Sequence, residues 1–342
     1  MERIRGFLEK RKKKKFKHEL RPIQEPDQHG PAMPFLSKKF KRIGLIIGQD
    51  HFKIEKGGKE KFENINGPSL IKVPDWVDDP LGKYYLYFAH HRGKYIRLAC
   101  SERIEGPYTL HEPGTLKSKD HAIDGVGHVA SPDVLIQEEK QEIWMYYHLK
   151  TKQETRFQGR LGNQFTYLAT STDGVNFKPG RVPLCGAYFR AFQHDGAMFG
   201  VGKGQNQTLC IYRSPDGMEP FMPGATFIEG RRHPGILKIG NALHVFYSKT
   251  LDVPERIYYI TVDISSPDWE TWMPKEEKGT LILYPEEPWE GADLPFRQPS
   301  SGSAYHRLRQ LRDPQGYEEN GKIYLLYSVA GEYGIGLARL EP

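Results

Sequence analysis

The sequence predicts an all-β chain, folded as a five-bladed β-propeller that an N-terminal strand closes in the last blade. Three observations carry this. Short apolar and aromatic runs alternate with Gly, Pro, Asp and Asn turns, and few stretches hold a helical period. One unit recurs five times: a proline, an apolar strand, a turn, an aromatic-rich strand, a loop, then a third strand and a Ser-x-Asp-Gly-like turn. The fifth copy runs out one strand short, while a strand-like segment stands upstream of the first.

The copies follow in order. The first has Pro68-Ser69-Leu70-Ile71, then Tyr84 to Phe88, then Tyr95 to Ser101. The second has Pro132-Asp133-Val134-Leu135, Ile143 to His148, and Thr166 to Ser171, with Asp173-Gly174 after it. The third starts less distinctly at Tyr188-Phe189-Arg190, then runs through Ala197 to Val201 and Leu209 to Ser214, ending in Asp216-Gly217. The fourth has Pro234-Gly235-Ile236-Leu237, Ala242 to Ser248, and Ile257 to Ile264. The fifth has Pro314, Lys322 to Ser328, and Gly334 to Leu340, where the sequence stops. Ile43 to Ile54 is the candidate for its missing outer strand, because Gly48-Gln49-Asp50-His51-Phe52 resembles the turn after Ser171. Closure of this kind hides sheet edges that would otherwise recruit other chains. Two packed β-sandwiches are the competing architecture, but they do not call for five copies of one pattern.

Composition bounds the rest. With 38% hydrophobic residues, 19 Tyr and 17 Phe, the 342-residue chain can bury a core and is not a wholly disordered protein. The net charge of +6 sits in a tail: residues 1–21 hold ten Lys or Arg against three Glu, so the remainder sums to −1. Residues 1–35 are expected to be a basic tail and linker, and 36–342 the propeller. The Lys10 to Lys17 run suits an anionic surface such as lipid, nucleic acid or an acidic partner, with a solvated arm as the plainer reading and no specific nucleic acid expected. No stretch reaches the roughly 18 apolar residues of a membrane-spanning helix, and the first 21 residues lack the apolar centre of a secretory signal. Three scattered cysteines form neither a disulfide framework nor a zinc ribbon. These features lead to a cytoplasmic expectation.

In a propeller blade the strands alternate direction, so loops entering first strands and loops after second strands share a face. That face collects His90, His91 and Arg92, then His128, Asp133 and His148, then Arg190, Arg232 and His233, Glu255, Arg312 and Asp313, and Glu332. The opposite loops are ordinary turns such as Gly240-Asn241 and Asn320-Gly321. The residue before each repeat's proline is expected at the axis: Gly67, Ser131, His233 and Asp313, with Arg190 at the matching place in blade three. Different polar residues at one place of a repeat point to a site on the scaffold.

On Asn66-Gly67-Pro68-Ser69, Ser131-Pro132-Asp133-Val134 and Arg312-Asp313-Pro314, the chain resembles the five-bladed propeller glycoside hydrolases, family 43 and the related families 32, 68, 117 and 130. The resemblance covers roughly residues 36–342. It implies a carbohydrate substrate, held and cleaved at the centre of the ring. Where those enzymes carry an acidic residue before the first-blade proline this chain has Gly67, and for their blade-three acid it has Arg190.

Glycosidic cleavage uses two carboxyl groups, one protonating the leaving oxygen and one activating water or attacking. Asp313 is the candidate base or nucleophile, Asp133 the second carboxylate, and Glu255 or Glu332 the acid. His90, His91, Arg92, His128, Arg190, Arg232, His233 and Arg312 are the candidate substrate-binding groups. Trp289 and Glu290 join them from the long loop between Pro274 and Leu311, which has the length of a lid or binding loop. So many arginines suit an anionic sugar or phosphate, unless each is paired with a carboxylate. Phosphorolysis and a propeller that binds glycan or protein without chemistry are the two alternatives. No cofactor is expected. The histidines lack metal-ligand spacing, which leaves only a structural ion in the axial channel open.

Overall fold

The structure, a computed structural model, describes residues 39–52, 63–91, 93–123, 126–230, 232–250, 252–298 and 302–341. Five antiparallel sheets account for it, one per repeat. Blade one is built from Asn66–Lys72, Tyr84–Ala89, Tyr95–Ser101 and Thr109–Leu110. Blade two uses Val126–Gln137, Glu142–Phe157, Arg160–Ser171 and Lys178–Pro179. Blade three uses Arg190–His194, Ala197–Lys203, Leu209–Ser214 and Met222–Phe227, and blade four Gly235–Ile239, Ala242–Ser248, Ile257–Asp263 and Thr280–Leu283. Blade five takes Arg312–Glu319, Lys322–Val329 and Gly334–Leu340 from the end of the sequence and Phe40–Ile47 from its beginning. That last strand pairs antiparallel with Gly334–Leu340, Phe40 opposite Leu340 and Ile47 opposite Ile335. The closing strand is therefore present, set a few residues earlier than Ile43 to Ile54, because Gln49–His51 already turns in a short 3-10 helix.

The aromatic second strands are the packing units. Tyr85, Tyr87, Phe88, Trp144, Tyr146, Tyr147, Phe246, Tyr247 and Tyr327 are all buried, in clusters that span neighbouring blades. Two of their hydroxyls are satisfied by the repeat's own turns. Tyr87 donates to the carbonyl of Gly174 at 2.7 Å, and Tyr146 donates to that of Gly217 at 2.9 Å. Each of these glycines has positive φ, and a Cβ there would stand 2.8 Å and 2.5 Å from the same hydroxyl. The Ser-x-Asp-Gly turn thus links one blade to the blade before it. Ser171 and Ser214 accept from the Gly174 and Gly217 amides, and Asp173 and Asp216 accept from the amides that follow.

The axial ends of the first strands share a backbone device. Gly67, Ser131 and Asp313, each just before the repeat's proline, adopt positive φ of 61°, 52° and 48°. Each sits at a register shift between first and second strand. In blades one and two the residue after the proline reaches the next blade. Ser69 accepts from the Val134 amide at 2.9 Å, and Asp133 accepts from the Ala191 amide at 2.7 Å. Gly235 lies so close to the Pro314 carbonyl that a Cβ would meet its oxygen at 2.1 Å.

Candidate functional site

A cavity of about 530 Å³ opens on the face predicted from strand direction. First-strand entries contribute Asn66, His128, Ser131, Tyr188 and His233, and second-strand ends contribute His91, His148, Lys150 and Lys152. Gly302, Ser303 and Tyr305 enter from the long loop before blade five. Along the wall the rings follow one another: His91 to His128 at 6.2 Å, His128 to His148 at 5.3 Å, His148 to Tyr188 at 4.9 Å and Tyr188 to His233 at 3.8 Å.

The four predicted catalytic carboxylates do not line this cavity. All are buried and engaged behind it. Asp313 lies 2.8 Å from Nδ1 of His233. Burial alone would raise its pKa, but His233 and then Arg312 and Arg232 outweigh burial and hold it well below the usual carboxylate range. Glu332 lies 2.8 Å from Nδ1 of His91, accepts from Asn64 and the Ala304 amide, and meets Arg312 at 3.0 Å. Burial again works upward, and His91 and Arg312 turn the balance down. Both ends of the ring row are thus imidazoles backed by anionic carboxylates. Glu255 is held between Arg232 at 2.5 Å and Arg312 at 3.0 Å and accepts from Ser248; burial raises its pKa against these two cations.

Asp133 and Arg190 form the hub of the ring. The Arg190 guanidinium donates to the carbonyls of Pro68, Pro132 and Pro234 and to Asp133 at 3.2 Å, so one side chain of blade three ties down blades one, two and four. Burial raises the pKa of Asp133 against the pull of Arg190. These three carbonyls face a guanidinium. Among the described residues no group of three or more His, Cys, Asp or Glu is arranged to hold a metal.

The remaining sequence candidates separate. His91, His128 and His233 line the cavity. His90 does not; it packs edge-on against Tyr95, and burial, with Arg97 and the neighbouring histidines, lowers its pKa to about 3. Arg232 and Arg312 are spent on Glu255 and Glu332, the plainer use of the arginines. Trp289 packs near Tyr327, and Glu290, fully buried, accepts from Arg42 and from the Tyr327 hydroxyl. That pair fastens the closing strand to blade five and stands apart from the cavity. Arg92 and the tail and linker of residues 1–35 lie outside the described residues.

The lining also includes residues to which the sequence assigns no role, His148 and Ser131 among them. His148, 2% exposed, has no partner on either ring nitrogen among the described residues, and Ser131 Oγ and His128 Nδ1 are likewise buried and unpartnered among them. Burial, then the nearby histidines and lysines, pushes the pKa of His128 down to about 4 and holds that of His148 well below its ordinary value, so both rings are neutral near pH 7. Neutral imidazoles and a hydroxyl left unpaired on a cavity wall match a ligand rich in hydroxyls, since each ring can donate once and accept once. The signal for His148 is present in the sequence: it ends an aromatic strand on the predicted face.

The class of protein defined by this fold is the five-bladed β-propeller shared with glycoside hydrolases of family 43. An exo-1,5-alpha-L-arabinanase from a bovine ruminal metagenomic library superposes over 84% of this chain and 100% of its own, at 13% identity and a TM-score of 0.54. An alpha-L-arabinanase of Cellvibrio cellulosa does so over 81% and 91%, at 12% identity and 0.53. A thermostable family-43 glycoside hydrolase covers 83% and 90%, at 15% identity and 0.54. At such identities the likeness is one of fold. No protein-family model matches the chain. The chain belongs to the family of the uncharacterized protein R118 of Acanthamoeba polyphaga mimivirus, to which it is 32% identical over 312 residues, covering 81% of this chain and 83% of that one.

Proposed function

We propose that the chain is a glycosidase whose proton transfers run through carboxylate-backed histidines. The observation that supports this is the pair of dyads, His233 on Asp313 and His91 on Glu332, each at 2.8 Å and each presenting its imidazole at the cavity. Cleaving a glycosidic bond requires a proton for the leaving oxygen and a base for water. A buried carboxylate next to an imidazole fixes its orientation and stabilises its protonated form. His233 then serves as the acid, with anionic Asp313 offsetting the imidazolium charge, and His91 accepts the proton of the attacking water. The wall between them, His128, His148 and Ser131, holds sugar hydroxyls. This reassigns Asp313 and Glu332 from direct participants to partners of the groups that react.

A binding propeller without chemistry is the second reading, favoured by the absence of any carboxylate from the lining among the described residues. Reducing-sugar release from a panel of neutral and acidic oligosaccharides, with and without phosphate, separates the two. Turnover by the native chain that His233→Gln and Asp313→Asn both lose supports the enzyme. Phosphate dependence would identify phosphorolysis. Ligand binding without release from any substrate would establish the binding module.

A further inference from the structure

The second and third strands of blade two run on past the blade. They form an arm whose turn, Gln158-Gly159, has positive φ at both positions, the geometry of a two-residue hairpin. The sequence pattern stops these strands at His148 and resumes them at Thr166, because Lys150-Thr151-Lys152-Gln153-Glu154 and its partner strand are polar on both faces and carry no apolar alternation. The root of the arm overlooks the cavity. His128, Lys150 and Gln164 stand opposite one another across three strands, so their side chains share a face, and Lys152 lies two residues on. All four line the cavity.

The charge balance there is one-sided. Among the described residues no Asp or Glu lines the cavity. The cations behind it are matched: Arg190 by Asp133, Arg232 by Glu255, Arg312 by Glu255 and Glu332. Among the described residues neither Lys150 nor Lys152 makes an ion pair, and the closest acidic residue of the arm, Glu154, is outside the lining. Beside them the wall carries buried polar atoms of His128, Ser131 and His148 that have no partner among the described residues. Two ammonium groups above a floor of unpaired hydroxyl-binding groups are complementary to a sugar that carries an oxyanion.

We propose that Lys150 and Lys152 form an oxyanion site at the mouth of the cavity, which selects ligands bearing a carboxylate, sulfate or phosphate. That this anion belongs to a sugar rests on the glycosidase reading; the anion site itself does not. The arginines that suggest an anionic ligand from sequence are paired internally, so the site stands on these two lysines.

The test is calorimetric binding to the full chain, with no turnover required. Galacturonate oligosaccharides, neutral galactose oligosaccharides of equal length, and inorganic phosphate are titrated separately at low and high salt. The acidic oligosaccharide should bind about tenfold more tightly than the neutral one at low salt, and the gap should shrink as salt rises. Lys150→Gln with Lys152→Gln should bring the two affinities to within about twofold, while Lys150→Arg with Lys152→Arg keeps the gap. Both residues are exposed, so the melting temperature should hold in either variant. Phosphate binding that the glutamine pair abolishes, without any preference among sugars, assigns the site to free phosphate and supports the oxyanion site alone. Equal affinity for acidic and neutral sugars with no phosphate binding overturns the proposal, as does a preference that survives the glutamine pair. Failure of the glycosidase reading shows differently, as binding without bond cleavage.

Discussion

At the scale of single residues, two buried carboxylate pairs divide the work. His233 with Asp313 faces the cavity, whereas Arg190 with Asp133 faces the other blades. Replacing His233 by Gln should lower kcat by about 10² to 10⁴ if it transfers a proton, and steady-state kinetics on any active substrate would measure this. Arg190→Met should act on stability instead. It leaves Asp133 as an unpaired buried charge and strips three carbonyls of their donor, a loss of about 3–5 kcal/mol that urea denaturation would resolve. The sequence names all four residues and predicts their position near the axis. It does not divide them, because a repeat position shows where a side chain starts and not which neighbour it meets.

At the scale of elements, closure depends on one strand brought from the far end of the chain. Arg42 on Phe40–Ile47 donates to Glu290 at 2.9 Å and to the Tyr284 carbonyl at 2.6 Å, and Glu290 also accepts from Tyr327. Arg42→Ala leaves Glu290 buried with one partner fewer. A loss of about 3–5 kcal/mol is expected, with faster amide exchange along Gly334–Leu340, which hydrogen-exchange mass spectrometry would detect. The strand is legible from the repeat, since the fifth copy lacks its outer member. The role of Glu290 is not, because Trp289-Glu290 in a long loop has the same composition whether it covers a ligand or anchors a strand. The blade-two arm escapes the sequence for the opposite reason: with neither face buried, its strands carry no alternation to find.

At the scale of the whole molecule, stability should depend on acidity in a definite direction. His128, held near 4, and His148, held well below its ordinary value, resist protonation in the folded chain, whereas the unfolded chain takes up those protons near pH 6.5. Stability is therefore full above about pH 6.5 and falls as the pH drops from there toward about 4. Asp313, depressed in the folded chain, adds a second loss as the pH falls below about 4. Melting curves from pH 8 to pH 3 should show both, and His148→Gln should flatten the upper part. The tail is a separate expectation: removing residues 1–21 should abolish salt-dependent association with anionic vesicles while leaving the melting temperature unchanged, as co-sedimentation would report. The architecture itself was determined by the sequence alone, because strand alternation, turn chemistry and a fivefold repeat are local patterns, and ring closure follows from counting them. The face that collects the polar residues was equally determined, since strand direction alternates by rule. What only the tertiary structure decided is which charges cancel. Arg190, Arg232 and Arg312 meet their carboxylates across stretches of chain that are far apart in sequence, so the histidines and lysines are left to face the cavity.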